Sequence, residues 1–257
     1  MLPFIEVLGL KLPMYGMSIF FGIIVAAIFI YFDSKNKGVL WENTVLIGTV
    51  GVLVGFLGAK ILFLLVTYSP KEIIDIIKSG DFDSLLNSGF VFYGGLIFGV
   101  LGAFLAAKVL KEKISDHENL LIKIIPLVHA FGRIGCFFAG CCYGKPTTSA
   151  IHVIFKNPVS DAPIGVPLIP VQLYESLFNF LLFIALAVID KKTSGKKILL
   201  PIYVIAYGVE RFIIEFFRFD EVRGIFFGLS TSQWISIAMC VVGILIFIYR
   251  NKRVKNV

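Results

Sequence analysis

The stretch YGVERFIIEFFRFD places Tyr207, Arg211 and Glu215 at i, i+4 and i+8. On a helix, one face would then carry a phenol, a guanidinium and a carboxylate. A planar guanidinium can bracket two phosphate oxygens at once, so the chemistry suggested is an anion clamp whose geometry Glu215 holds. The plainer alternative is an Arg211–Glu215 pair that neutralises itself, with Glu210 as a second candidate partner. Arg218 falls one position short of the next turn, close to the interface, where a long side chain can snorkel outward.

A second stretch, HAFGRIGCFFAGCCYGKPT, runs from His129 to Thr147 and supplies Arg133 with His129 one turn before it. Glycines flank Arg133 and Ile134, which suits either close approach of a ligand or tight helix packing. Cys136, Cys141 and Cys142 do not match a CxxC zinc spacing, and a tetrahedral site would need a further ligand such as His129. Packed thiols, a disulfide, a metal site and a catalytic thiol stay open for them; Cys240 reads as packing. In IPVQLYESLFNF, the residues Gln172, Tyr174 and Glu175 bring polar groups to the start of a helix. Glu175 leading into apolar sequence needs a partner, and Arg133 or Arg211 is an obvious candidate. GFVFYGGLIFG sets Tyr93 before Gly94 and Gly95, where a phenol also serves as an interfacial anchor.

The elements that must position these groups are apolar. Of 257 residues, 58% are hydrophobic and only 16% charged, against roughly 25% charged in soluble domains; mean hydropathy is +0.90. Seven apolar segments are readable, at about 15–32, 45–67, 90–109, 120–140, 173–189, 199–217 and 232–249. None has a period-two pattern, and backbone groups in lipid must be satisfied within the segment, so helices are expected. The fold class is therefore an all-α integral membrane protein with seven transmembrane helices, forming one domain with a loop or small head at about 141–172. MLPFIEVLGLKLPMYG has no basic n-region or cleavage site and is read as retained.

Lys and Arg set the orientation. With the C-terminus inside, one side holds Lys35, Lys37, Lys108, Lys111, Lys113, Lys123, Lys191, Lys192, Lys196, Lys197, Arg250, Lys252, Arg253 and Lys255. The other holds Lys11, Lys71, Lys78, Lys145, Lys156, Arg218 and Arg223. This bias puts the N-terminus outside and the C-terminus in the cytoplasm. It also accounts for the net charge of +7 without a nucleic-acid partner. Lys60, Arg133 and Arg211 remain within apolar spans. Each costs roughly 2.5–3.5 kcal/mol there on insertion scales and must face protein or a wet cavity; together they imply an anion.

These motifs, in this order, resemble the prolipoprotein diacylglyceryl transferase family. YGMSIFFGI is similar to its first span and GAKILF to its second, with Lys60 where many members have arginine. FYGGLIFG resembles its third span, GRIGCFFAGCCYGKP its signature segment, PVQLYES its fifth span and ERFIIEFFR its sixth. The resemblance implies a multi-pass enzyme of the bacterial cytoplasmic membrane that works in the lipid bilayer. It would move a diacylglyceryl group from phosphatidylglycerol to the lipobox cysteine thiol of prolipoprotein signal peptides, releasing glycerol phosphate, with no metal or organic cofactor. It implies that Arg133 and Arg211 bind the phosphate, supported by Glu215 and Tyr207. Tyr15, Gly144, Gln172, Tyr174 and Glu175 match recurrent family positions. Lys60, Gly94, Gly95 and Cys136 join these as substrate-binding candidates, and Tyr93 and His129 as catalytic ones. Tyr93 stands where many members carry histidine, Cys136 where asparagine is common and Cys141 where glutamate is, so the general base is unassigned. Two rival readings are a same-fold transferase with another acceptor or head group, and a non-catalytic lipid-anion binder or transporter.

Overall fold

The structure is a computed structural model. It describes all residues except 1–2, 8, 36, 81–88, 90, 194–195, 220–223 and 256–257. The described chain is predominantly helical: α1 Met14–Ser34, α2 Trp41–Thr67, α3 Pro70–Ser79, α4 Phe92–Val109, α5 Ile114–Ala139, α6 Val171–Lys192, α7 Leu199–Ile214 and α8 Thr231–Lys255. Three antiparallel two-stranded ribbons accompany them: β1 Phe4–Val7 with β2 Leu10–Pro13, β3 Val153–Ile154 with β4 Pro167–Leu168, and β5 Ile225–Phe226 with β6 Leu229–Ser230. The last of these turns through Phe227 and Gly228, both at positive φ, the geometry that matches a two-residue hairpin to strand twist.

Each apolar segment contains a helix among the described residues. Five helices are long and apolar enough to cross a membrane: α1, α2, α5, α6 and α8. The third segment gives a shorter apolar helix over Gly94–Val109. The sixth gives α7, which stops at Ile214 because the chain turns through Glu215–Phe217 rather than continuing to residue 217. Helix α5 begins at Ile114, earlier than the expected position near 120. Lys123 is therefore no loop residue: it is buried inside α5 and ion-paired with Asp190 of α6. Asn119 Nδ2 donates to the other Asp190 oxygen at 2.8 Å. Few polar residues are tolerated in such surroundings without partners, and here each of the three has one.

Contacts divide the chain into two compact units, residues 30–117 and residues 1–29 with 118–257. In the former, α2 and α4 cross at close range through facing glycines. A Cβ on Gly94 would stand 2.3 Å from Gly58 O, and one on Gly55 2.9 Å from Gly95 O. Small residues let such backbones approach where lipid offers no hydrophobic drive to association. Ser69 and Glu72 form a reciprocal cap before α3, and the Ser69 hydrogen bonds hold the Glu72 carboxyl below its usual range.

In the latter unit, α1 crosses α5 where a Cβ on Gly22 would meet Phe131 Cβ at 2.8 Å and one on Gly135 would meet Tyr15 Cα at 3.0 Å. Ile122, Leu182, Leu186 and Leu199 form the core between α5, α6 and α7. Ser176 Oγ donates to Ala130 O at 3.0 Å, adding a polar tie between α6 and α5. Gly208 of α7 packs against Ser236 and Cys240 of α8. The 141–172 segment is folded: Phe155, Ala162 and Leu168 make its own small core.

Candidate active site: three arginines on one glutamate

Helix α6 buries Val171, Gln172, Glu175, Ser176, Asn179, Leu182, Leu186 and Asp190, a stripe at helical spacing. That stripe carries Glu175 inward, leaving it 2% exposed. Tyr174 falls off the stripe, on the exposed side with Leu173 and Leu177.

Three guanidiniums converge on Glu175. Arg133 Nε of α5 pairs with Oε2. Oε1 takes Arg218 Nη1 at 3.2 Å and Arg211 Nη1 at 3.5 Å. Arg211 Nη2 reaches Glu215 Oε2 at 2.5 Å and Ser232 Oγ at 3.3 Å. The second Glu215 oxygen accepts Ser230 Oγ at 3.0 Å. Among the described residues, these ion pairs join three guanidiniums to two carboxylates, with the Glu210 carboxyl close enough to feel all three cations. Arg211 Nη1 is buried and makes no hydrogen bond among the described residues. Its contact with Glu175 Oε1 at 3.5 Å is long for a hydrogen bond, so this buried donor keeps capacity for a further acceptor. Glu210 is also buried, but its Oε1 finds no hydrogen-bond partner among the described residues. Of the two carboxyls near it in sequence, Arg211 pairs with Glu215, as spacing indicated.

Arg218 does not snorkel outward. It is 4% exposed and belongs to the cluster. The reason is tertiary: its backbone forms a β-bridge with Gly144, Lys145 N donates to Phe217 O at 2.8 Å, and Phe219 N to Tyr143 O at 3.3 Å. On its other side Gly144 packs against the segment leading into α6, where a Cβ would stand 2.5 Å from Ile169 O. Sequence alone places Arg218 at the interface; the signal to the contrary is its short distance from Glu215.

His129 and Tyr207 lie together, ring centroids 5.5 Å apart, and Tyr203 stacks on Tyr207 at 6.0 Å. Tyr15 starts α1, with its backbone against Gly135, and its side chain is 44% exposed. Gln172 Nε2 donates to Cys141 O at 2.8 Å, while its Oε1 is buried without a hydrogen-bond partner among the described residues. Lys60, Gly94 and Gly95 belong to the 30–117 unit, where both glycines lie in the α2–α4 crossing. Tyr93 is in α4, and its side chain lies outside the described residues.

The cysteines are all free. Cys136, Cys141 and Cys142 bring their sulfurs within 4.8 Å of one another. Hydrogen bonds from the Cys136 and Cys141 thiols, then the charges of Arg218 and Arg133, hold Cys142 below the usual thiol range. As a donor in that set, Cys141 is pushed up.

The family model for prolipoprotein diacylglyceryl transferase matches residues 3–249. The phosphatidylglycerol–prolipoprotein diacylglyceryl transferase of Clostridium tetani is 39% identical over 242 residues, 94% of each chain. Transferase 2 of that name from Clostridium perfringens is 37% identical, covering 94% of this chain and 92% of its own. The counterpart in Dehalococcoides mccartyi strain 195 is 27% identical over 250 residues, 96% of this chain and 93% of its own.

Proposed function

The chain belongs to the prolipoprotein diacylglyceryl transferase family, and from that membership we propose how its arginine cluster performs the reaction. The enzyme transfers a diacylglyceryl group from phosphatidylglycerol to a prolipoprotein. The acceptor is the lipobox cysteine thiol, and glycerol phosphate departs. The lipid enters laterally from the bilayer of the bacterial cytoplasmic membrane. Seven helices cross it, α4 and α7 completing the five longer ones, with the N-terminus outside and the C-terminus in the cytoplasm.

One observation carries the mechanism: Arg133, Arg211 and Arg218 share the single carboxylate of Glu175. A thiolate attacks the glycerol carbon next to the phosphate, and the C–O bond breaks with its electron pair going to the phosphate oxygen. The phosphodiester carries one negative charge and the departing monoester gains a second. Guanidiniums fixed beside that oxygen stabilise the transition state more than the ground state, which is what raises kcat. Glu175 keeps the three cations assembled before the lipid arrives, and Glu215 with Ser230 and Ser232 fixes the Arg211 plane. Gln172 lies one turn before Glu175 and Tyr207 one turn before Arg211, and Tyr15, Tyr174 and Gly144 are proposed as further substrate contacts; Lys60, Gly94 and Gly95 are proposed as such from the family resemblance alone. His129 and Tyr93 are proposed to serve proton transfer.

The test is direct. The purified protein is reconstituted with phosphatidylglycerol and a lipobox peptide, and the product is read by mass spectrometry as a thioether of diacylglycerol. Arg133→Ala and Arg211→Ala each lose about 10²–10³ in rate, the size expected for removing an oxyanion-stabilising donor. Full activity in both variants defeats the clamp. Phosphatidylglycerol that binds but is never consumed favours a non-catalytic lipid binder instead.

A further inference from the structure

Helix α5 ends in a built turn rather than in a fraying one. Gly140, at φ 73°, terminates it, and the amides of Gly140 and Cys141 both return to Cys136 O at 2.9 and 3.2 Å. Cys142 then also adopts positive φ, 56°, a backbone state uncommon for a residue with a side chain. Two consecutive reversals fold Cys141 and Cys142 back to Cys136 on the last turn of the helix. Outside ties fix the turn: Gln172 Nε2 on Cys141 O, Ser160 Oγ on Gly140 O at 3.2 Å, and the Gly144–Arg218 bridge. A Cβ on Gly140 would collide with Ser160 Oγ at 1.9 Å, so the frame admits no larger residue there.

The product of this frame is three thiols with their sulfurs within 4.8 Å of one another. Tetrahedral zinc with Zn–S near 2.3 Å needs sulfurs about 3.8 Å apart, so small side-chain rotations close the site. Among the described residues no fourth histidine, cysteine or carboxylate joins the group. His129 sits against Tyr207 instead. Three protein ligands with an open fourth position are the arrangement of catalytic rather than structural zinc. Three thiolates on zinc(II) carry one negative charge, and Arg133 Nη1 lies 3.9 Å from Cys136 Sγ, placed to donate to it. The same guanidinium therefore faces both the thiol cluster and the Glu175 clamp.

We propose that Cys136, Cys141 and Cys142 form a three-thiolate site for one zinc(II) ion whose open position takes the acceptor cysteine of the prolipoprotein. The role of the fourth position rests on the transferase reading above; the metal site itself does not. As the acceptor sulfur binds zinc, its S–H bond breaks and the proton passes to water, because a coordinating thiol is deprotonated outright. A sulfur lone pair then forms the S–C bond to the glycerol carbon, the C–O bond breaks, and its electrons leave on glycerol phosphate. No atom changes oxidation state. The ion thus does the work of a general base for the thiol.

The full-length protein in detergent is stripped with a chelator under reducing conditions and titrated with zinc chloride. One zinc per chain is expected to survive desalting and to shield Cys136, Cys141 and Cys142, but not Cys240, from alkylation. Cobalt(II) in its place is expected to show a thiolate charge-transfer band, at least tenfold weaker in Cys141→Ser and unchanged in Cys240→Ser. A lipobox peptide, and not its serine analogue, is expected to alter the cobalt ligand-field spectrum. Zinc retained no better by the unsubstituted chain than by a Cys136→Ser/Cys141→Ser/Cys142→Ser variant overturns the site, as does a disulfide among the three in the protein isolated without reductant. Equal transfer rates with and without bound zinc overturn its activating role. Zinc bound as described, with no transfer under any condition, leaves the site standing and overturns the transferase mechanism instead.

Discussion

Glu175 Oε1 and Arg218 Nη1 meet at 3.2 Å, joining the first turns of α6 to the segment just beyond α7. That contact makes Glu175 common ground for arginines from three places in the sequence. Removing one partner from a buried ion pair costs about 3–5 kcal/mol, because the remaining charges stay buried and uncompensated. Glu175→Gln keeps the shape and removes the charge, leaving three guanidiniums to repel one another. It is expected to lower the unfolding temperature in detergent and to abolish transfer. A variant with unchanged melting and activity would remove Glu175 from the centre of the site.

Glu215 acts through Arg211, which it holds at 2.5 Å. A hydrogen bond to a charged group contributes about 1.5–3 kcal/mol. Glu215→Gln is expected to raise KM for phosphatidylglycerol by roughly ten- to hundredfold, with a smaller change in kcat. Rate measurements across lipid mole fraction in mixed micelles separate the two.

Glu210 lies near the three cations without an ion pair to any of them among the described residues. Its Oε1 lacks a hydrogen-bond partner among the described residues, so Glu210→Gln is expected to leave transfer close to that of the unsubstituted protein. A large loss would assign this carboxyl a part in holding the cations.

Lys123 and Asp190 are each 1% exposed at their side chains. Lys123→Met alone is expected to destabilise by about 3–5 kcal/mol, and Lys123→Met with Asp190→Leu to recover most of it, since an apolar pair of similar volume often replaces a buried ion pair without loss. Thermal unfolding of the single and double variants gives the comparison.

Gly94 and Gly132 make a matched pair of substitutions. A Cβ on Gly94 would intrude to 2.3 Å of Gly58 O, whereas the nearest atom to one on Gly132 is Ile19 Cγ1 at 3.9 Å. Gly94→Ala is expected to cost about 1–3 kcal/mol, the range for overpacking, and Gly132→Ala to be tolerated. Expression and melting in detergent distinguish them.

The sequence made legible whatever depended on local period or on the scarcity of charge. The i, i+4, i+8 register of Tyr207, Arg211 and Glu215 requires only a helix, and Glu175 in apolar sequence calls for a cation. Lys123 reads as a loop residue because its partner Asp190 is distant in sequence and no periodicity links them. Arg218 reads as interfacial because its burial depends on a backbone bridge to Gly144 that only the folded 141–172 segment supplies. The cysteine cluster escaped the ligand-spacing rules for a related reason: Cys136 and Cys141 look too far apart until Gly140 reverses the chain.

The backbone of residues 143–147 is bound along two borders, to Phe217 and Phe219 on one and to Pro167 and Ile169 on the other. The excursion between Ser149 and Asp161 hangs from that stitched frame, and Ile151 at its surface is 65% exposed. A short epitope spliced at Ile151 should ride outside the chemistry. It would offer a grip for antibody fragments in imaging so small a membrane protein, with both margins of the clamp left sewn shut.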